Sequence, residues 1–176
     1  MRYSTHGAAA LLRPVALFQL SVRVGGVRVD VARRLEDEVN APFTDARERV
    51  KNALLAMRLG DPEPYIDMWA ATDDVTLFGA WGPIEKGRQR LFETFRWVGS
   101  RFKGGTLEVE DSVVCVSGDL AYTVGFERGQ AAVDDASTQR SMPIRVTHIY
   151  RQIDGQWRLV HRHADFPPAD QRLETR

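Results

Sequence analysis

Four residues in the last third of the chain have the types and spacing for acid/base chemistry: His148, His161, His163 and Asp165. His161 and His163 stand two apart, and in a strand residues i and i+2 project to the same side. Imidazole near its ordinary pKa can serve as acid, base or ligand. The segment carrying them reads MPIRVTHIYRQ, IDGQ, WRLVHRHADFPP: two runs of β-branched and aromatic residues around Asp154-Gly155. Asp and Gly tolerate the positive φ that both central positions of a type I′ turn require, so a long β-hairpin is expected. With that turn, Ile153 faces Gln156, Tyr150 faces Leu159, His148 faces His161 and Val146 faces His163. One face then holds Val146, His148, Tyr150, Trp157, Leu159, His161, His163 and Asp165, and the other Arg145, Thr147, Arg151, Arg158 and Arg162.

A face half apolar and half imidazole is what lines a pocket. His161, His163 and Asp165 are therefore the candidate catalytic residues, with His148 and Tyr150 as candidate ligand contacts. The alternative role for the histidines is structural, bonded to Asp165, Tyr122 or a helix end. Three imidazoles and a carboxylate could formally hold Zn or Fe. Opposed strand residues point in parallel rather than converging, so no metal is expected.

On an earlier strand Tyr122, Val124, Phe126 and Arg128 alternate onto one face. A buried Arg128 would demand an anion, either a ligand's carboxylate or a partner such as Asp165 or Glu110. Tyr122, Phe126 and Arg128 join the candidate ligand-binding set. So do the aromatics expected on the helix side of the pocket, namely Tyr65, Trp69, Phe78 and Trp81, although helical aromatic stripes are usually plain core. Trp81, beside Gly79, Gly82 and Pro83, is placed like a mouth residue. Phosphate-binding glycine loops, Ser-His-Asp order and nucleophile motifs are absent, so no cofactor is expected.

The elements that must position these residues follow from periodicity. Thr44 is a candidate cap for a helix over Asp45 to Leu59, with Val50, Leu54 and Met57 on one stripe and Gly60 ending it. Asp61 and Pro62 suit the start of a short helix in PEPYIDMWA. VTLFGAWG is a strand candidate, Pro83 to Gly87 a loop, and Arg88 to Phe102 a third helix burying Leu91, Phe92, Phe95 and Val98. Strands alone follow Gly104-Gly105: TLEVEDSVVCVS, LAYTVGFERGQAAV, a polar loop over 134–141, then the hairpin. Helices followed by an antiparallel meander argue an α+β fold, a curved sheet closed by three N-terminal helices into a cone with a pocket.

Residues 1–43 are expected to be an arm, either a small hairpin of SVRV, Gly25-Gly26 and VRVDV or a disordered segment. The apolar VALFQLSV run is interrupted by Gln19 and Ser21 and lacks a small-x-small site, so it does not make a secretion signal. The main domain spans 44–168 and a tail 169–176. Length and 43% hydrophobic content suit one such domain. A formal net charge of +0 offers nothing global for nucleic acid or an anionic membrane, and neither partner is expected. The single Cys115, in the apolar run VVCV, excludes an intramolecular disulfide and fits a small buried hydrophobe in a reducing cytoplasm.

This order of elements, with GDP, DDVTLFG, GDLAYTVGFER and DGQWRLVHRHAD, resembles the nuclear-transport-factor-2-like superfamily, the cystatin-like cone of ketosteroid isomerase and SnoaL-like cyclases, from about Asp45 to Pro168. The last three strands are most similar to the calcium/calmodulin-dependent kinase II association domain and its SnoaL-like relatives. Their W-x-x-V-H-x-H signature is matched by Trp157, Val160, His161 and His163, and their strand arginine by Arg128 after Ala121 and Phe126. Where that kinase domain has an arginine, this chain has His148. The isomerase's residues do not carry over, because Gly79 stands at its general-base position and Ala53 at its oxyanion tyrosine. The resemblance implies a domain binding a small, partly apolar carboxylate or carbonyl compound, with isomerase, dehydratase or cyclase chemistry as the candidate activities. A non-catalytic association domain is the alternative, and a metal-dependent enzyme comes third. It also implies a homodimer through the outer sheet face, which the four outer arginines of the hairpin would favour by seeking acidic partners.

Overall fold

The computed structural model describes residues 21–24, 27–134 and 138–168, with side chains from Ala41 onward. The apolar VALFQ run and the tail expected over 169–176 lie outside the described residues. Two compact units divide the chain, Met1–Val39 and Asn40–Arg176. In the first, β1 (Ser21–Val24) pairs antiparallel with β2 (Val27–Asp30), Val24 opposite Val27, the hairpin alternative for the arm.

Helix α1 spans Val31–Arg58 and starts well before the expected Thr44 cap, with Pro42 inside it. The preceding run ARRLEDEVNA is rich in good helix formers, and Pro42 gives up only one backbone hydrogen bond. Phe43, Ala46, Val50, Ala53, Leu54 and Met57 form its buried stripe. Gly60 ends it at φ +98°, where Asp61 N–H reaches the Ala56 carbonyl at 2.9 Å, a Schellman closure. Helix α2 is one turn, Glu63–Ile66, and α3 is Arg88–Arg101, burying Leu91 and Phe95.

The main sheet holds β3 (Thr76–Phe78), β4 (Ile84–Lys86), β6 (Glu108–Ser117), β7 (Leu120–Arg128), β10 (Ile144–Ile153) and β11 (Gln156–Asp165). Its order is β4-β3-β11-β10-β7-β6, antiparallel except for the β3–β11 pairing. A second sheet pairs β5 (Phe102–Gly105), β8 (Gln130–Val133) and β9 (Arg140–Ser141) in the order β5-β8-β9. The segment expected to be a loop over Pro83 to Gly87 contains β4, and LAYTVGFERGQAAV is divided into β7 and β8 at Gly129, whose φ is +151°. Helical stripes pack on the inner side of this curved antiparallel sheet, against Leu77, Ala121, Tyr150, Trp157 and Leu159, so the α+β expectation holds.

The Asp154-Gly155 turn forms with φ of 50° and 75°, and the expected register holds from Ile153–Gln156 to Tyr150–Leu159. Beyond that point a β-bulge inserts Val160, so that Ile149 faces His161, His148 faces Arg162, Thr147 faces His163 and Val146 faces Ala164. One extra residue reverses the facing of everything after it. Trp157 and Leu159 are buried on the inner face as expected, but Arg162 and Ala164 replace His161, His163 and Asp165 there. Strand β7 is also reversed relative to expectation. Ala121, Thr123 and Glu127 are buried inward, while Tyr122, Val124 and Arg128 are exposed outward. Gly125, in the inner row, has no room for a side chain, because a Cβ there would lie 1.9 Å from the Glu110 carbonyl oxygen at the bulge of β6. Cys115 is half-buried rather than fully enclosed.

Candidate functional site

Five polar side chains meet inside the domain: Arg58 at the end of α1, Tyr65 in α2, Glu127 in β7, His148 in β10 and Arg162 in β11. Their exposures are 3% for Arg58, 0% for Tyr65, 3% for Glu127, 3% for His148 and 7% for Arg162. Buried charges at this level persist only when paired and hydrogen-bonded. Arg162 satisfies that with a fork, donating from Nη1 to Glu127 Oε1 at 2.5 Å and from Nη2 to Oε2 at 2.9 Å. Nη1 also lies 2.8 Å from His148 Nε2. A guanidinium only donates, so Nε2 accepts and His148 is a neutral imidazole with its proton on Nδ1. Tyr65 donates its hydroxyl to the same Nε2 at 3.1 Å.

The electrostatics agree with this proton inventory. Burial, reinforced by the positive charge of Arg162, pushes the His148 pKa down to about 3. Burial by itself would raise the Glu127 carboxyl, but the charge and hydrogen bonds of Arg162 outweigh it and hold the group below its ordinary value. Tyr65 is pushed up by burial and stays a phenol.

Beside this network lies a cavity of about 70 Å³, far above the ~10–15 Å³ that one water needs. Leu54, Met57, Leu77, Trp81, Phe95 and Phe102 supply much of its apolar wall. Among the described residues its charged lining is Arg58, Glu127 and Arg162. Arg58 lies with its guanidinium carbon 4.9 Å from the Phe102 ring centroid, and its Nη1 has no hydrogen-bond partner among the described residues.

The structure therefore redistributes the candidates read from the sequence. His148 and Tyr65 come together by a direct hydrogen bond, and Trp81 stands in the cavity wall. Tyr150 and Trp69 are buried in the core, where Tyr150 meets Phe43 edge to face at 5.0 Å. Because of the Val160 bulge, His161, His163 and Asp165 leave the inner face. His161 Nδ1 sits 2.7 Å from Thr76 Oγ1, and His163 stands edge-on to Phe78 with 5.3 Å between ring centroids. Asp165 is held by Arg145, whose Nε donates to Oδ1 at 2.9 Å. Phe78 is exposed on the same outer surface, as is Tyr122. Arg128 is exposed, paired with Glu110 and stacked 4.1 Å from the centroid of the half-buried Phe126 ring. Of the alternatives open for Arg128, the pair with Glu110 is the one observed, on the exposed outer face and not in the cavity as a ligand contact.

Three residues of the site were not anticipated: Arg58, Glu127 and Arg162. For Arg58 a signal existed, since it stands four residues after Leu54 on the apolar stripe of α1. For Glu127 and Arg162 the signal was hidden by the facing of their strands. Among the described residues, no group of three or more His, Cys, Asp or Glu side chains is arranged to hold a metal ion, and no helix is long and apolar enough to cross a membrane.

Comparison with known proteins places this architecture. No curated protein sequence matches the chain. Among solved structures it is similar to a provisionally assigned dehydratase of the nuclear-transport-factor-2-like family from Streptomyces avermitilis, at 19% identity and TM-score 0.65, over 76% of this chain and 99% of that one. A nuclear transport factor 2-like superfamily protein from Salmonella enterica serovar Typhimurium LT2 gives 19% identity and TM-score 0.65, over 80% and 99% of the two chains. A ketosteroid isomerase-like protein from Erwinia carotovora atroseptica gives 20% identity and TM-score 0.63, over 75% and 99%. These likenesses establish the fold. The SnoaL-like domain model matches residues 47–169, and the chain belongs to that family.

Proposed function

We propose that this SnoaL-like domain binds a small, partly apolar carboxylate or carbonyl compound in the cavity walled by Trp81 and Phe102, and that Glu127 exchanges a proton with it. One observation carries this reading: an apolar cavity is faced by a few ionised groups held in fixed hydrogen bonds, the usual composition of a small-molecule site. Glu127 is the cavity's carboxylate among the described residues and is ionised at neutral pH, so it can take a proton from carbon next to a carbonyl. Isomerisation, dehydration and cyclisation all begin with such a step, and neighbours bearing dehydratase and isomerase-like names support that class. The free Cys115 fits a cytoplasmic setting.

Native mass spectrometry of the purified protein should reveal a retained small molecule. Exchange of the α-protons of cyclohexanone or 2-oxobutyrate in D2O, followed by NMR, should be faster with the protein and lost in Glu127→Gln. Binding without exchange would leave a non-catalytic binder, whereas a cavity that holds neither compound would overturn the proposal.

The outer sheet face supports a second proposal, a homodimer. Across the strands, Val113, Val124, Thr147, His163 and Phe78 form one row, and Cys115, Tyr122, Ile149, His161 and Thr76 the next. Phe78, Tyr122 and Val124 are 41%, 39% and 37% exposed, and the pairs Arg128–Glu110 and Arg145–Asp165 flank these rows. An apolar centre with a charged rim is the anatomy of a protein interface, and a two-fold copy of the same face would cover it. The arginine surplus expected to favour pairing is smaller than the sequence suggested: Arg162 points inward and Arg145 is satisfied by Asp165. Mass photometry should give a dimer for the natural chain and a monomer for Tyr122→Glu with Val124→Glu. A natural chain that is monomeric, or a dimer indifferent to both changes, would refute the outer-face assignment.

A further inference from the structure

The charges facing the cavity do not cancel. Arg58 and Arg162 are cations, Glu127 is the carboxylate, and His148 and Tyr65 behind them are neutral, so the cluster carries one surplus positive charge in a buried site. The surplus belongs to Arg58, because Glu127 is already engaged by both terminal nitrogens of Arg162. Arg58 is 3% exposed, lines the cavity and leaves Nη1 without a partner. Burial depresses its pKa more than the charge of the nearby Glu127 raises it, and Arg162 adds a smaller lowering. Water could satisfy the orphaned N–H but would not neutralise the charge, and a buried guanidinium without an anion is costly.

We propose that Arg58 anchors the head of a small monocarboxylate, whose apolar remainder lies against Leu77, Trp81, Phe95 and Phe102. The proposal rests on the cavity being the binding site and narrows its ligand to an anion of single charge. A carboxylate matches the surplus of one and offers two acceptor oxygens to a planar guanidinium. A dianion such as a phosphate monoester would leave a net negative charge buried among these apolar walls.

The test pairs benzoate with its neutral isostere benzamide, titrated by calorimetry at pH 7 into the natural chain, Arg58→Met and Arg58→Lys. Benzoate should bind the natural chain at least about tenfold more tightly than benzamide. In Arg58→Met that preference should collapse to about unity while benzamide binding persists, and Arg58→Lys should retain part of it. The ligand-free Arg58→Met protein should melt at or above the temperature of the natural chain, because an apolar replacement removes an uncompensated buried charge. Equal binding of the two probes by the natural chain would refute the anion site and leave the cavity as a binding site for neutral compounds. A preference surviving in Arg58→Met, or a sharply lowered melting temperature for that variant, would refute Arg58 as the anchor. Failure of both probes to bind would overturn the cavity as the site altogether.

Discussion

Arg162→Met is expected to lower the unfolding free energy by about 3–5 kcal/mol. The reason lies in what remains rather than in what is lost. Glu127 would be left with Arg162's charge and two hydrogen bonds gone, in a site where it is 3% exposed. His148 Nε2 would lose its donor from the same guanidinium. In a domain of this size each kcal/mol moves the melting temperature by roughly 3 °C, so a drop near 10 °C should appear in calorimetry. Glu127→Leu alone should also destabilise, because it leaves Arg58 and Arg162 as two uncompensated cations facing one cavity. The double variant Arg162→Met with Glu127→Leu should regain most of the loss, since an apolar pair of similar volume replaces a desolvated ion pair at little net cost. The double-mutant cycle should yield a coupling of about 2 kcal/mol or more. Additive losses, or a single-variant loss below about 1 kcal/mol, would show that the pair is solvated and the cavity is not enclosed.

That this ion pair escaped the sequence has a specific cause. The Asp154-Gly155 turn, the helix stripe of Val50, Leu54 and Met57, and the inward Trp157 and Leu159 were legible, because turn chemistry and apolar periodicity each admit one solution there. WRLVHRHAD admits two. Read without interruption, it sends Leu159, His161 and His163 inward. With one residue inserted at Val160, it sends Leu159, Arg162 and Ala164 inward. Alternation cannot distinguish these, since a bulge is decided by how the strand twists against its neighbours. Strand β7 misled for another reason. Its larger side chains, Tyr122, Val124 and Phe126, face outward, and its smaller ones, Ala121, Thr123 and Gly125, face the helices. Assigning bulk to the inside fails wherever the outer face of a sheet is itself apolar. The fold survived both errors because it depends on element order, while the site depends on phase. The histidine signature of the last strand is therefore real in sequence but lies, in space, against Phe78 on the outer surface.

His148, the buried histidine among the described residues, should make the domain's stability fall with acidification from about pH 6.5. In the unfolded chain its imidazole titrates near 6.5, whereas in the folded protein burial beside Arg162 pushes the value down to about 3. Between those two values the unfolded state holds a proton that the folded state excludes, so stability rises with pH across this window. The contribution is complete above about 6.5 and disappears as pH falls toward 3, at about 1.4 kcal/mol per pH unit. From pH 6.5 to 4.5 the loss should be about 2–3 kcal/mol. Glu127 acts in the same direction at lower pH. Its folded pKa lies below the usual 4.5, so its stabilisation is present above that value and is lost as pH falls through the depressed one. The half-exposed His161, also depressed by burial and by His163, adds a smaller slope of the same sign. Protonating His148 would set an Nε2–H against the Arg162 guanidinium, which cannot accept it. His148→Gln can still present an acceptor to Arg162 but has nothing to titrate. Urea denaturation at half-unit intervals from pH 7.5 to 4.5 should therefore show a steep slope in the natural chain and a flatter one in His148→Gln. Identical pH profiles for the natural chain and His148→Gln would mean that the imidazole is not held neutral between Arg162 and Tyr65, and the proton inventory of the buried network would have to be redrawn.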